Sequence, residues 1–305
     1  MQIKPFKTIY VAHPDFLDDL CTELQDVSTV IGNLVFSPLE KKDCCFALDI
    51  WHEPVLIEFP SISAAAKILR AAGKFWYLHP IENIRRARLI EAELRKLPEL
   101  HSEFPLLPSH DIGCFSLLDK NTLVYSRRRL KKSPLGYFPF IEDKKNPPNR
   151  AYLKLWEALS LLNTLPAAPD IAIDLGASPG GWTWVMQKLG ATVIAVDKAP
   201  LEKTIITLPR VSFLNQSAFA LEPHFFNEKI NWLLCDVACY PQRTLDLAEH
   251  WIASGKVEKM ILTVKLQGKT DFAILEKFRA IPGGRLIHLF WNKHEVTFFW
   301  GVSFS

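Results

Sequence analysis

The sequence lacks a long apolar segment. No apolar run reaches the roughly 18 residues that a membrane-spanning helix requires. The segment Met1–Lys7 also lacks the apolar core of a signal peptide. We therefore expect a protein that is cytoplasmic and has no membrane partner.

Cysteine is scarce and is not arranged for metal binding. The six cysteines are scattered without the short spacings of metal sites. Cys44 and Cys45 are adjacent and cannot easily bridge each other, and Cys235 and Cys239 flank the end of a predicted strand. The pattern predicts free buried thiols in a reducing compartment, and no metal centre.

Net charge is also low, only +3 over 305 residues, so the overall electrostatic field does not indicate a nucleic-acid partner. One local run differs, because five cations fall within six consecutive positions: Arg127, Arg128, Arg129, Lys131 and Lys132. Such a run is typical of a solvated loop. Its place just before a predicted catalytic domain equally favours contacts with nucleic-acid phosphates, so both interpretations stay open.

The most informative segment is 171–182, which reads Ile-Ala-Ile-Asp-Leu-Gly-Ala-Ser-Pro-Gly-Gly-Trp. An apolar run ends in Asp174, a small-residue turn follows, and a helix is predicted from about Gly181. A second apolar run at 191–196 ends in Asp197, where an acid can hold a ribose diol. Strand, glycine-rich turn, helix, strand and acid together predict the opening unit of a nucleotide-binding α/β sheet.

Two common phosphate fingerprints are missing from this turn. The NAD pattern G-x-G-x-x-G fails because Ser178 and Pro179 interrupt it, and no Gly-Lys-Ser/Thr follows Gly180 as in a P-loop. The ligand these exclusions favour is S-adenosylmethionine (SAM), which carries a ribose and an adenine but no phosphate. Asp174 could face its amino-acid end, and the glycines allow close backbone approach. The alternative is a glycine-rich turn that binds nothing.

The length is sufficient for about two domains. A Pro-rich polar connection at 133–149 separates a predicted N-terminal α+β domain (1–140) from a predicted catalytic domain (149–305). In the latter, the pattern predicts strands at 171–174, 192–197, 211–214, 230–236, 259–265, 284–290 and 295–302, and helices at 150–163, 181–188, 242–254 and 270–279. The fold class is therefore α/β, with a Rossmann-like methyltransferase sheet that is parallel until a final antiparallel hairpin.

Four polar residues lie at the ends of these elements. Asp236 and Lys265 each end an apolar strand, Glu295 follows the hairpin turn, and Lys154 lies on the first helix. Taken singly, each is compatible with an exposed or capping residue. In an open α/β sheet, however, the ligand crevice lies beyond the carboxyl ends of the strands, where Asp236 and Lys265 should meet the glycine-rich turn.

A Lys-Asp-Lys-Glu set on a SAM-type sheet predicts methyl transfer to a hydroxyl group. A ribose 2′-hydroxyl is a weak acid and needs a base. We expect Lys265 to serve if a neighbouring cation and desolvation depress its pKa, while the two carboxylates hold the ammonium groups. The remaining requirement is correct placement of the attacking oxygen.

These segments resemble the FtsJ-like ribose 2′-O-methyltransferases, and more closely the RlmM group, which methylates a cytidine ribose of 23S ribosomal RNA. The resemblance covers about 149–300 and is carried by 149–158, 174–183, 196–197, 232–236, 262–266 and 294–297. It implies that Lys265 is the general base, with Lys154, Asp236 and Glu295 as partners.

The same resemblance implies SAM as cofactor, RNA as partner and two further sets of site residues. The expected cofactor residues are Gly176, Ser178, Pro179, Gly180, Gly181, Trp182, Asp197, Ser217 and Asp236. The expected RNA-binding residues are Arg127, Arg128, Arg129, Lys131, Lys132 and Arg150.

The sequence departs from the family pattern at two points. Ser217 stands where the family usually has an aspartate that holds the adenine amino group, and a serine can accept that bond only without charge. The RlmM group also carries an RNA-binding THUMP domain, whereas only about 60 residues are available here between Pro80 and Phe140.

Three functions are therefore weighed. The first is a methyltransferase acting on ribosomal RNA, and the second is a SAM methyltransferase acting on a protein or a small molecule. The third is a non-catalytic RNA-binding or ribosome-assembly factor, which Ser217 favours and the intact Lys-Asp-Lys-Glu set opposes.

Overall fold

The computed structural model describes residues 4–40, 44–98, 103–104, 111–130, 133 and 136–304. The chain divides into two compact units, Met1–Pro139 and Phe140–Ser305, each described by itself below.

The first unit contains both helices and strands. Its described residues form a five-stranded antiparallel sheet and a four-stranded sheet in which one pair of strands, Phe75–Leu78 and Ile112–Leu117, is parallel. Its strands are β1 (Thr8–Ala12), β2 (Thr29–Ile31), β3 (Leu34–Ser37), β4 (Ala47–His52), β5 (Val55–Glu58), β6 (Phe75–Leu78), β7 (Ile112–Leu117), β8 (Thr122–Ser126) and β9 (Arg128–Arg129), and its helices are α1 (Leu17–Leu24), α2 (Ile62–Ala72) and α3 (Ile84–Ala92). Among the described residues, the strand orders are β2-β3-β1-β4-β9 and β5-β8-β7-β6.

The four-stranded sheet holds its own apolar core, built on Trp76 of β6. Phe115, Leu69 and Ile90 are buried in the same cluster, so α2 and α3 cover this sheet. Gly113 of β7 pairs with Trp76 across the strands, and a Cβ at Gly113 would collide with the indole ring. Glycine is therefore required at position 113, because any larger residue would overlap the Trp76 ring.

The basic run is divided by strand geometry. Arg129 on β9 is buried, and its guanidinium lies 2.5 Å from a carboxylate oxygen of Asp49 on β4, with side-chain exposures of 4% and 1%. Arg128 and Arg127 are exposed and pair with Glu53 and Asp111 respectively. Burial lowers the pKa of Arg129, but Asp49 more than offsets this and the net pKa is raised.

This arrangement does not favour a phosphate contact for Arg129, because its charge is already neutralised in the interior. Arg127 and Arg128 keep the exposure that such a contact needs, and their RNA-binding role stays a prediction. Lys131 and Lys132 lie outside the described residues.

The second unit is an α/β sheet covered by helices. Its strands are β10 (Ile171–Leu175), β11 (Thr192–Asp197), β12 (Val211–Asn215), β13 (Ile230–Cys235), β14 (Val257–Lys265), β15 (Gly284–Ile287) and β16 (Glu295–Trp300), and its helices are α4 (Tyr152–Ser160), α5 (Gly181–Lys188), α6 (Lys203–Ile206), α7 (Pro241–Ala253) and α8 (Phe272–Ala280). The strand order is β12-β11-β10-β13-β14-β16-β15 among the described residues.

The predicted fold class is confirmed. Strands β10 to β14 run parallel to one another, and β16 runs antiparallel to both β14 and β15. The largest difference from the predicted strands is at β15, which ends at Ile287 rather than at 290. The backbone N–H groups of Phe290 and Trp291 donate to the carboxyl group of Glu157 instead of to a strand.

Removing Asp49 should destabilise the first unit strongly. The variant Asp49→Ala leaves the Arg129 guanidinium buried without its carboxylate, and breaking such a pair costs about 3–5 kcal/mol in the free energy of unfolding. Chemical denaturation measures the loss. The matched control is Glu53→Ala, which removes the exposed partner of Arg128 and should cost less than about 1 kcal/mol. Equal losses in the two variants would contradict the assignment.

Candidate active site

The carboxyl ends of the parallel strands enclose a cavity. Its volume is about 390 Å³, within the range of roughly 300–1,000 Å³ typical of small-ligand sites. The residues that line it are Gly176, Ser178, Asp197, Lys198, Ser217, Ala218, Phe219, Asp236, Val237, Ala238, Cys239 and Arg243. Five of the predicted cofactor residues are thus brought together: Gly176, Ser178, Asp197, Ser217 and Asp236.

The turn after β10 is shaped by a close backbone approach. Gly176 has φ +76°, which favours glycine, and a Cβ there would collide with Val237 after β13. Its N–H donates to the carbonyl of Val196 at 2.8 Å, which ties the turn to β11. At the turn after β10, the cavity is therefore lined by the backbone of Gly176 rather than by a side chain.

Asp197 is held in a fixed orientation at the end of β11. One carboxylate oxygen accepts the N–H of Ser178 at 3.0 Å, and the other accepts the N–H of Ala199 at 2.9 Å. A carboxylate has about four acceptor positions, so two stay available to a pair of hydroxyls. This geometry fits a ribose diol.

The far wall of the cavity contains two residues that the sequence did not indicate, Phe219 and Arg243. The predicted Ser217 directly precedes a short 3-10 turn, Ala218–Ala220, which contains Phe219. The Arg243 guanidinium lies 3.8 Å from the centre of the Phe219 ring, a cation–π stack that covers this side. No sequence motif marks this contact, because the two residues come from separate segments.

The remaining predicted cofactor residues have other surroundings. A Cβ at Gly181 would collide with the Asn149 side chain, and the Trp182 indole donates to the carbonyl of Ala151 at 2.9 Å. The Lys154 ammonium lies 6.0 Å from the centre of the Trp182 ring. In the described part of the chain, Pro179, Gly180, Gly181 and Trp182 are not among the residues that line the cavity.

The four residues of the predicted Lys-Asp-Lys-Glu set form a closed ring of ion pairs. Lys265 Nζ lies 2.6 Å from Asp236 and 2.5 Å from Glu295. Lys154 Nζ lies 3.1 Å from Asp236 and 2.6 Å from Glu295. Each carboxylate therefore bridges both ammonium groups, and the charges of the ring sum to zero.

The members of this ring differ in exposure. Side-chain exposures are 8% for Lys154, 7% for Glu295, 18% for Asp236 and 23% for Lys265. Lys265 is therefore the member most open to a ligand, while Asp236 also lines the cavity. The ring thus adjoins the predicted cofactor site at Asp236.

Strand register explains why the ring forms. Lys265 is the last residue of β14 and is paired directly with Glu295, the first residue of β16. Asp236 follows β13, the other neighbour of β14. The ends of three adjacent strands therefore place these side chains together, and α4 brings Lys154 to them.

The pKa of Lys265 corrects one expectation. Burial lowers this pKa, but Asp236 and Glu295 together raise it by more than burial lowers it. The net pKa therefore lies above the ordinary 10.5. The expected depression by a neighbouring cation is wrong for this state of the site, because two carboxylates outweigh Lys154. For Asp236, burial raises the pKa, and the two lysines lower it below its ordinary range overall.

Asp174 is oriented inward rather than toward a ligand. It is buried, and the Thr183 hydroxyl donates to it at 2.7 Å. Burial, together with Asp236 and Asp197, raises its pKa to about 7. It is not among the described residues that line the cavity, so the expected contact with the amino-acid end of SAM finds no support here.

Arg150 lies on the surface of the same unit. Its guanidinium pairs with Glu142 at 2.7 Å and lies 5.5 Å from the centre of the Trp291 ring. An RNA contact by Arg150 stays a prediction. No described helix is long and apolar enough to cross a membrane, and the described residues contain no cluster of three acids, histidines or cysteines suited to a metal.

Residues 147–281 match the family model of FtsJ-like methyltransferases. The ribosomal RNA large subunit methyltransferase M of Chromohalobacter salexigens is 31% identical over 356 aligned positions, which cover 97% of this chain and 98% of that protein. The chain belongs to the family of the ribosomal RNA large subunit methyltransferases M. The similarity extends through both units.

Other relatives match over a shorter stretch. The ribosomal RNA large subunit methyltransferase M of Thauera aminoaromatica is 31% identical over 182 residues, covering 54% of this chain and 49% of that protein. The chain spans about half the length of the first curated relatives that it matches. Among solved structures, a fibrillarin pre-rRNA processing protein of Methanococcus jannaschii reaches a TM-score of 0.39 at 18% identity, covering 51% of this chain and 77% of that one.

The family is SAM-dependent, and the cavity fits such a cofactor on three observations. Gly176 keeps side chains out of the turn, Asp197 offers free acceptor positions, and Ser217 offers a hydroxyl on the opposite wall. The pairing of these residues with particular atoms of SAM stays a prediction.

Removing Asp197 should weaken SAM binding. The variant Asp197→Ala loses charge-assisted hydrogen bonds to the diol, which we expect to cost about 1.5–3 kcal/mol, or about 10- to 150-fold in Kd. Calorimetric titration with SAM measures it. Asp143→Ala is the matched control, since Asp143 also accepts two backbone N–H groups but does not line the cavity. Unchanged affinity in Asp197→Ala would mean that this acid does not contact the cofactor.

Proposed function

We propose that the protein transfers a methyl group from SAM to a ribose 2′-hydroxyl of ribosomal RNA. The observation that carries this proposal is the closed ring of Lys154, Asp236, Lys265 and Glu295 beside the cavity. A lysine that two carboxylates orient beside the cavity can, in its neutral form, accept the proton of a hydroxyl group, a task that a surface for binding alone does not need.

Each member of the ring has a defined task in this proposal. Lys265, in its neutral form, would accept the proton of the 2′-hydroxyl when the oxygen displaces the sulfur at the methyl carbon, so that the S–CH3 bond breaks and S-adenosylhomocysteine leaves with the electron pair. Asp236 and Glu295 orient the Lys265 amine and stabilise the ammonium group that results. Lys154 holds both carboxylates in place through its ion pairs with Asp236 and Glu295. SAM supplies the methyl group on a sulfonium cation, whose positive charge disfavours the ammonium form of a nearby lysine.

The choice of ribosomal RNA as the substrate follows from the relatives, which are named for methylation of the large-subunit RNA. This choice also implies action in the cytoplasm, where ribosomes are found. The first unit, with exposed Arg127 and Arg128, is proposed as an accessory RNA-binding domain.

A non-catalytic RNA-binding or assembly factor is the second candidate. Ser217 favours it, because a neutral hydroxyl holds an adenine amino group less strongly than a carboxylate does. The ion-pair ring argues against it, since burying two lysines and two acids is costly and brings no benefit to a surface that only binds.

Replacing Lys265 should abolish methyl transfer. In Lys265→Met, loss of the base should lower the rate by about 10²–10⁴-fold, while SAM affinity changes by no more than a few-fold. The assay follows labelled methyl from SAM into large-subunit RNA that lacks the modification, with resistance of the product to alkaline cleavage as proof of 2′-O transfer.

Lys259→Met is the matched control, because Lys259 lies near the opposite end of the same strand and its ammonium sits 5.0 Å from the Trp232 ring. It should retain full activity. Full activity in Lys265→Met would remove this lysine from the mechanism. SAM binding without transfer to any RNA by the wild type would favour the non-catalytic candidate.

Activity should rise steeply with pH. The reactive form of Lys265 is the neutral amine, and its raised pKa leaves this form scarce at neutral pH. The value of kcat/KM for SAM, which reports the free enzyme, should increase about tenfold per pH unit between about pH 6 and pH 9 without levelling off. A plateau below about pH 8 would show that another group is the base.

A further inference from the structure

A second buried carboxyl group lies one helical turn from Lys154. Glu157 of α4 is fully buried, and its two oxygens accept the backbone N–H groups of Phe290 at 3.0 Å and Trp291 at 3.1 Å. A buried carboxyl group is costly unless it is hydrogen-bonded, so these contacts bind the helix firmly to the segment 288–293.

That segment leads directly to Glu295, and further contacts make it stiff. The Asn292 amide donates to the Glu295 carbonyl at 3.0 Å and to the Thr297 hydroxyl at 3.2 Å. The His288 Nε2 atom lies 3.1 Å from the Lys293 carbonyl. A displacement of Phe290 would therefore be transmitted to the first residue of β16.

Helix α4 thus contacts both the first residue of β16 and the segment that precedes this strand. Residues three apart lie on the same side of a helix, so Lys154 and Glu157 face the same neighbour. Lys154 contacts the side chain of Glu295, and Glu157 contacts the backbone that precedes it. The second contact sets how far the Glu295 carboxylate lies from the helix.

We propose that Glu157 is a positioning residue of the candidate active site, which holds Glu295 against Lys154 and Lys265. The kinetic part of this inference rests on the proposed function, whereas the geometric part does not. Glu157 lies outside the described lining of the cavity, so we expect its effect to reach the reaction through the position of Glu295 rather than through a contact with the cofactor.

The test variant is Glu157→Gln, which keeps the shape of the side chain but replaces one acceptor oxygen with an amide donor. The matched control is Asp170→Asn. One carboxylate oxygen of Asp170 accepts the Ala167 N–H at 3.2 Å and the Trp232 indole N–H at 2.9 Å. Asp170 directly precedes β10, at the amino ends of the parallel strands and away from the cavity at their carboxyl ends. Both variants exchange a hydrogen-bonded acid for an amide.

We expect both variants to lower the melting temperature by a few degrees. Only Glu157→Gln should lower kcat, by about 10- to 100-fold, because a small misplacement of catalytic groups has effects of that size. Calorimetric SAM affinity should stay unchanged. The pH–rate profile of Glu157→Gln should level off at a lower pH than that of the wild type, since Lys265 loses part of the attraction of Glu295.

A second readout does not require activity. The side-chain ammonium resonance of Lys154, observed by NMR in protein labelled at lysine nitrogen, should shift in Glu157→Gln and not in Asp170→Asn. If the wild type transfers no methyl group, the proposed function fails, and this resonance alone decides the role of Glu157.

Three results would overturn the positioning role. These are an unmoved Lys154 resonance in Glu157→Gln, equal losses of kcat in the two variants, or an unchanged pH–rate profile with a loss of stability alone. Each would show that Glu157 only supports the fold.

Discussion

The central constraint of the second unit is the placement of two lysines and two acids in a site with little access to water. A buried ammonium group is stable only if carboxylates and hydrogen bonds replace the water that it loses. Lys154 and Lys265 share two acids, and each acid contacts both of them. The order of the strands follows the same requirement, because β14 must lie between β13 and β16 for Asp236 and Glu295 to reach it.

Much of the second unit could be predicted from the sequence. Its parallel strands are buried on both faces and therefore appear as apolar runs that end in an acid or a turn, as at Ile171–Leu175. Shorter features escaped prediction. Helix α6 has four residues, and β15 stops early because of Glu157, a contact 133 residues away along the chain.

The first unit was harder to predict for a physical reason. Strand β7 is buried along its whole length and contains a glycine and a serine, so it shows no alternation of apolar and polar residues. Strand β5 is exposed at most positions and gives no alternation either. Period-2 patterns identify strands with one buried and one exposed face, and neither strand is of that kind.

Within the candidate site, position was easier to predict than electrostatics. The ends of adjacent strands indicated that Asp236 and Lys265 would meet, and the structure places them 2.6 Å apart. The direction of the Lys265 pKa depends on the balance between one neighbouring cation and two acids at short range. Sequence names those neighbours but gives no distances, so it cannot decide which of them dominates.

The buried pair of Arg129 and Asp49 reduces the number of basic residues at 127–132 that can bind a polyanion. Neighbouring residues on a strand point to opposite faces, so a cluster in the sequence is halved when it folds into β9. Only charges that face solvent can neutralise the phosphates of a polyanion and release the counterions condensed on it. Among the described residues of this run, two of the three arginines, Arg127 and Arg128, face solvent, and Arg129 does not. The segment can therefore neutralise fewer phosphates than a count of its basic residues suggests.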